Sequence, residues 1–149
     1  MFQQREYPDR PILGVGGVVI SHGRVLLVRR GRAPALGEWS IPGGMLESGE
    51  TLAEGVRREL SEETGLDVRV LAFLEVFERI DVDGDGKTRH HYVVLDYFCE
   101  RISGEARAGS DVTEVAWAAP AELEGYSLTA TATRVIRQAF EMAAQEGCS

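Results

Sequence analysis

Six glutamates, Glu47, Glu50, Glu54, Glu59, Glu62 and Glu63, stand within the 23 residues from Gly44 to Leu66. Wound on a helix at about 100° per residue, Glu63 lies about 40° to one side of Glu59 and Glu62 about 60° to the other, so the three carboxylates share one arc. Val56, Leu60 and Ala53 fall directly beside Glu63, which sets the acidic arc at the edge of the core-facing stripe. Like charges at i,i+4, such as Glu59 and Glu63, cost a helix about 0.2 to 0.5 kcal/mol, and a cation relieves the repulsion. Oxygen donors of this kind suit hard divalent ions, Mg²⁺ first and Mn²⁺ as a substitute, held by a few carboxylates together with substrate phosphates. The ion would let a chain of net charge -8 accept an anionic diphosphate. It would also lower the pKa of a bound water and stabilise the charge that develops as water attacks phosphorus.

Arg58 precedes Glu62 by four residues, the spacing at which an ion pair holds a carboxylate in place, and is read as an orienting residue. Gly43 and Gly44, in the loop before the helix, allow φ > 0 and let backbone carbonyls or amides approach a metal or a phosphate without a Cβ in the way. Glu47 and Glu50 bring further carboxylates to the helix N-terminal side, where the dipole also favours negative charge.

Gly44, Glu50, Arg58, Glu59, Leu60, Glu62, Glu63, Gly65 and Leu66 together match the Nudix box at its spacing, and Trp39-Ser40-Ile41-Pro42-Gly43 resembles the usual lead-in. The chain is similar to Nudix hydrolases over this box, about a sixth of its length. The resemblance implies an α/β/α sandwich, a loop-helix-loop catalytic motif, Mg²⁺ dependence and hydrolysis of a nucleoside diphosphate linked to another moiety. By the same analogy Glu59 and Glu63 are the chief metal ligands, Glu62 shares that work or assists the water, and the Gly43 carbonyl joins them. Asp111 and Glu114 lie in a stretch resembling the family's later loop, which often supplies one more carboxylate; Asp111 and Glu47 complete the candidate ligand set. Arg89-His90-His91-Tyr92 and Gly109 to Trp117 resemble the bacterial ADP-ribose pyrophosphatase-like group, which favours ADP-ribose. The rival within the family is a nucleoside triphosphate pyrophosphatase that clears oxidised nucleotides, and a non-catalytic nucleotide-binding module is the reading outside catalysis. Dimers are frequent among such proteins, and a homodimer is expected on that ground.

Other residues have two readings each. Arg29 and Arg30 end a strand and could bind a phosphate or stand as solvated arginines; His90 and His91 open a strand on which alternation sends one inward, toward substrate or core. Trp39, Tyr92, Tyr97 and Tyr126 could stack on a base or pack in the core. Asp81-Val82-Asp83-Gly84-Asp85-Gly86 imitates a calcium loop, but its twelfth position is Tyr92 where a bidentate Glu is needed, so a hairpin loop is expected.

The elements that must position these groups can be read from pattern. Ile12 to Ile20 and Arg24 to Arg30 read as two strands joined by a tight Ser21-His22-Gly23 hairpin, Glu38 to Ile41 as a short strand, and Pro42-Gly43-Gly44 as its stop. Thr51 to about Thr64 reads as a helix with Thr51 as N-cap, Glu54 closing a capping box and Gly65 as C-cap. Val68 to Ile80, His91 to Glu100 and Glu114 to Trp117 read as strands, with a loop from Asp81 to Lys87. Thr129 to Ala144 reads as an amphipathic helix carrying Val135, Ile136, Ala139 and Phe140 inward. The order gives an α+β fold with mixed sheets and a helix on each side.

At 149 residues and 44% hydrophobic content the chain suits one domain, residues 1–149, with one core. The polar stretch Met1 to Arg10 lacks the apolar run of a secretory signal, and no apolar run approaches the roughly 20 residues of a membrane span. A cytoplasmic protein is expected. The net negative charge excludes general affinity for a nucleic-acid backbone, and Cys99 and Cys148 read as unpaired thiols.

Overall fold

A computed structural model describes residues 6–32 and 35–146. The expectations placed on Cys148 and on the first five residues lie outside them. The elements run β1 (Ile12–Ser21), β2 (Arg24–Arg30), β3 (Trp39–Ser40), β4 (Gly43–Met45), α1 (Leu52–Thr64), β5 (Asp67–Val82), β6 (Thr88–Ser103), β7 (Val112–Ala118), a 3-10 helix (Pro120–Tyr126) and α2 (Ala130–Gln145).

Ile12 to Ile20 and Arg24 to Arg30 are strands, as their β-branched runs demand, but they pair only at their tips, Ile20 with Val25 and Ser21 with Arg24. The expected hairpin then splays open. β1 runs parallel to β6 from Ile12 against Tyr92 to Val19 against Cys99, while β2 runs antiparallel to β7. The segment from Glu38 to Leu46 fills the fork: β3 pairs β2, β4 pairs β1, and the Gly17 N–H donates to the Pro42 carbonyl at 3.1 Å between them. The short strand does stop before Pro42, which lacks a ladder donor, but the two glycines after it begin a new strand paired with Val15 and Gly16 rather than a loop.

One parallel pair among antiparallel ones makes a mixed sheet with strand order β3-β2-β1-β6-β5, β4 flanking β1 and β7 flanking β2. Alternation along β1 sends Val15 and Val19 to one face, where they pack with Val56 and Leu60 of α1, Leu66 and Cys99. Val18 and Ile20 face the other way and pack with Phe98, Leu123, and Val135, Ile136 and Ala139 of α2. The sheet between two helices is an α/β/α sandwich.

β5 and β6 form one long antiparallel hairpin whose register shifts at four points. Its turn is organised by Asp83, whose carboxylate accepts the Asp85 N–H at 2.9 Å and the Lys87 N–H at 3.0 Å, which is the hairpin-loop reading of the calcium-like motif. The 3-10 helix has no counterpart among the sequence expectations. Cys99 is buried, and desolvation pushes its thiol up to about 12, so it is an inert core residue. Among the described residues no helix is long and apolar enough to cross a membrane.

Candidate active site

Both ends of α1 are built as the sequence signals them. Thr51 accepts the Glu54 N–H and Glu54 accepts the Thr51 N–H, closing the capping box, and Gly65 ends the helix at φ 74°. A further device holds the last turn. The N–H groups of Arg107, Gly109 and Ser110 donate to the carbonyls of Thr64, Glu63 and Glu62 at 2.9, 2.9 and 3.0 Å. These are three of the carbonyls a helix C-terminus leaves without intrahelical partners, so the chain before β7 clamps the backbone that carries Glu62 and Glu63.

The inward face of α1 is Gly55, Val56, Glu59, Leu60, Glu63 and Thr64. Leu60 is wholly buried, which stabilises the docked helix by about 1.5 to 3 kcal/mol. That anchoring carries two carboxylates inside with it, Glu59 at 5% exposure and Glu63 at 0%. Glu63 Oε1 accepts the Gly43 N–H at 2.9 Å. Desolvation raises the Glu63 pKa to about 7, the Glu59 charge pushing the same way and the Gly43 hydrogen bond opposing both.

Arg58 does more than hold Glu62. It donates to Glu62 at 3.2 Å and to Glu59 at 2.9 Å, makes two hydrogen bonds to Glu50 at 2.6 and 2.9 Å, and reaches the Met45 carbonyl at 2.9 Å. The two bonds to Glu50 are the bidentate geometry that only a guanidinium offers, and they hold the Glu50 carboxyl below its usual range. Glu47 stays exposed and meets Arg58 only at 3.7 Å.

Gly43 and Gly44 do not use the left-handed region that glycine allows. They are needed for close approach, the other reason for a bare Cα there. A Cβ on Gly43 would strike the Val15 carbonyl, and one on Gly44 would stand 2.5 Å from the Glu59 carboxylate. The missing side chain at Gly44 leaves room in front of that carboxylate.

The arginines and histidines separate clearly. Arg29 is spent on Glu114 at 2.7 Å and the Gly37 carbonyl at 3.0 Å. Arg30 instead lines a cavity, and its buried Nε has no hydrogen-bond partner among the described residues. Burial lowers its pKa, with Glu63 and Glu38 opposing. His90 binds Asp81 at 3.1 Å and stacks on Tyr92 at 6.1 Å, whereas His91, one residue on, takes the opposite face of β6. Asp111, at φ 57°, pairs with Arg32 at 2.7 Å.

The cavity measures about 380 Å³ and is walled by Trp39, Phe77, Tyr92 and the first turn of α2, with Arg30 and Gly43 at the end nearest Glu63. Trp39 meets Tyr126 edge to face at 5.1 Å. Tyr97 packs on Phe73 at 5.6 Å, on the other face of β6 from Tyr92. Asp96 also lines the cavity. Sequence reasoning passed over it, although a single acid in the apolar run Tyr92 to Cys99 was a signal.

The oxygen donors, the space before Glu59 and the neighbouring cavity match one family in particular. The model of the NUDIX domain matches residues 10–140.

The chain belongs to the Nudix family.

Nudix hydrolases act on the pyrophosphate linkage of nucleotide derivatives and generally use divalent ions such as Mg²⁺. An ADP-ribose pyrophosphatase of Methanocaldococcus jannaschii is 36% identical over 104 residues, 70% of this chain and 59% of that protein. The match thus spans less than two thirds of its length. The MutT Nudix hydrolase of Burkholderia pseudomallei superposes with a TM-score of 0.75 at 31% identity, covering 87% of this chain and 98% of that one. The Nudix domain of Shewanella oneidensis NrtR, solved with ADP ribose, gives 0.71 at 25% identity over 90% and 89%.

The residues suit the family's metal. Among the described residues no three acidic, imidazole or thiol side chains converge into a ready cage, but Mg²⁺ keeps several waters and is bound by one or two carboxylates plus substrate phosphates. Two buried carboxylates beside an open glycine meet that requirement.

Proposed function

We propose that this chain acts as a single Nudix domain that hydrolyses nucleoside diphosphate derivatives, ADP-ribose foremost, at the diphosphate linkage. The observation that carries the reading is the cavity walled by Trp39, Phe77 and Tyr92, which ends at Arg30 and Gly43 beside the buried glutamates. Such a cavity takes a nucleoside while its diphosphate lies against the carboxylate site. The archaeal relative's name and the ADP ribose in the Shewanella structure support the choice of substrate.

Glu59, Glu63, Glu62 and the Gly43 carbonyl would hold Mg²⁺, for which Mn²⁺ can substitute, and Glu47 and Asp111 stand further out as candidates released only by movement of Arg58 or Arg32. When bound, the ion supplies charge neutralisation on the phosphate oxygens and a more acidic water. Arg58 orients Glu59 and Glu62. Arg30 meets a phosphate with the guanidinium whose Nε has no acceptor among the described residues. His90 supports the Tyr92 ring, while Arg29 and His91 serve structure. A homodimer belongs to this reading, with the exposed Phe73, Val76, Ile80 and Val82 of β5 as the apolar side chains it would cover.

The test is product analysis with ADP-ribose, other nucleotide sugars, dinucleoside polyphosphates and nucleoside triphosphates, each with Mg²⁺ and with EDTA. Chelator-sensitive conversion of ADP-ribose to AMP and ribose phosphate is expected. Preference for triphosphates would replace it with the nucleotide-sanitising reading, and no turnover of any compound with any metal would favour a binding module.

A further inference from the structure

We propose that Asp96 reads the nucleobase, its carboxyl hydrogen-bonding the amino edge of an adenine ring seated in the cavity. This rests on the reading of the cavity as the nucleoside site.

Asp96 sits at the middle of β6, where polar side chains are costly, and is 2% exposed. It stands on the face of β6 that also presents Tyr92 and Val94, and all three line the cavity. Gly16 on the neighbouring strand makes the space: a Cβ there would strike Asp96 Oδ1. A buried carboxyl normally has hydrogen-bond partners from its own chain. Asp96 has none among the described residues. Its cross-strand neighbour on β5 is Glu75, an acceptor already engaged by Arg134 of α2 at 2.8 to 3.2 Å. Among the described residues no cation is aimed at Asp96. What remains is a hydrogen-bonding group held ready for something that enters the cavity.

The chemistry of that ligand follows from the carboxyl. Burial, with the Glu75 charge, pushes its pKa up to about 7, so the neutral acid is accessible near neutral pH. A neutral carboxyl is complementary to adenine at two points, accepting from the N6 amino group and donating to N1. Purine, with hydrogen in place of the 6-amino group, offers N1 alone and loses the first of the two. Aromatic walls from Trp39 and Tyr92 supply the faces on which a purine stacks. A site built to hydrogen-bond one edge rejects the analogue lacking it strongly, because its buried polar group is then left unpaired.

The experiment measures binding of AMP and purine riboside monophosphate to the whole chain by calorimetry with Mg²⁺, for wild type, Asp96→Asn and Asp96→Leu, with thermal melts confirming that each variant folds. Wild type is expected to bind AMP at least about tenfold more tightly than purine riboside monophosphate; Asp96→Leu loses most of that ratio, whereas Asp96→Asn, whose amide accepts and donates at the same two points, keeps most of it. The ratio of kcat/KM for ADP-ribose over its purine riboside counterpart should fall in parallel in Asp96→Leu, chiefly through KM. An unchanged AMP preference in folded Asp96→Leu, or equal binding of the two nucleotides to wild type, overturns the role of Asp96. Loss of AMP preference in Asp96→Leu together with no cleavage of ADP-ribose would uphold Asp96 and overturn only the substrate reading.

Discussion

At the scale of single residues, the chemistry rests on carboxylates placed where water would not leave them. Glu63 is wholly buried yet keeps a backbone donor from Gly43, which fixes Oε1 in one orientation. Replacing it by Gln preserves shape and removes the charge. We expect Glu63→Gln to lower kcat by at least about 100-fold with the fold intact; near-normal turnover by the folded variant would refute its role. Asp96 yields a second residue-level prediction, one of pH. Its pKa is raised in the folded state, so the folded chain retains a proton that the unfolded chain releases between about pH 4 and 7. Stability contributed by Asp96 is thus complete at acid pH and is lost as pH rises through about 7. Melts in EDTA should show the wild type losing at least ~1 kcal/mol more than Asp96→Asn between pH 5 and 7.5. Equal losses would contradict the raised pKa.

At the scale of elements, α1 is useful because it is immobilised at three places: the capping box at its start, the Arg58 hub along its side and the backbone clamp from Arg107 to Ser110 at its end. The clamp is the least obvious of these. A Cβ on Gly109 would strike the Glu62 carbonyl, so this glycine sets the distance between the clamp and the helix. Gly109→Ala should destabilise the protein by ~1 to 3 kcal/mol and lower kcat, since the strain falls on the turn that carries Glu62 and Glu63. A variant that melts and turns over like wild type would show that the clamp is dispensable.

At the scale of the whole molecule, a net charge of -8 faces an anionic substrate, and cations must mediate the encounter. On the proposed reading Mg²⁺ would bind only where the carboxylates are assembled, so it should stabilise the folded state by mass action, raising the midpoint of thermal unfolding, an effect reversed by EDTA. Glu63→Gln should lose most of that shift. A midpoint indifferent to Mg²⁺ in the wild type would remove the metal from the reading.

The local half of this protein was legible in its sequence. Alternation and β-branched residues marked the strands, Thr51, Glu54 and Gly65 marked both ends of α1, and helical spacing put Glu59, Glu62 and Glu63 on one side, because each of these is a matter of neighbours within one or two turns. Spacing also placed Arg58 against Glu62. Pairing partners were another matter. That β1 and β2 part after two residue pairs, and that Pro42-Gly43-Gly44 enters the gap as a strand, depends on β6 and β7 competing for their edges from far along the chain. That Gly43 and Gly44 serve close approach was legible, but that Val15 and Glu59 are the groups requiring their bare Cα came only with the fold. Sequence could offer Arg29 and Arg30 equally; only the fold gives Arg29 to Glu114 and leaves Arg30 in the cavity. Asp96 was hidden in an apolar strand because the open space that gives it meaning is made by Gly16, 80 residues away in the chain. What a residue can do is written in its type and its near neighbours; what it is asked to do was decided by the long-range packing that chose which groups are buried and which face the cavity.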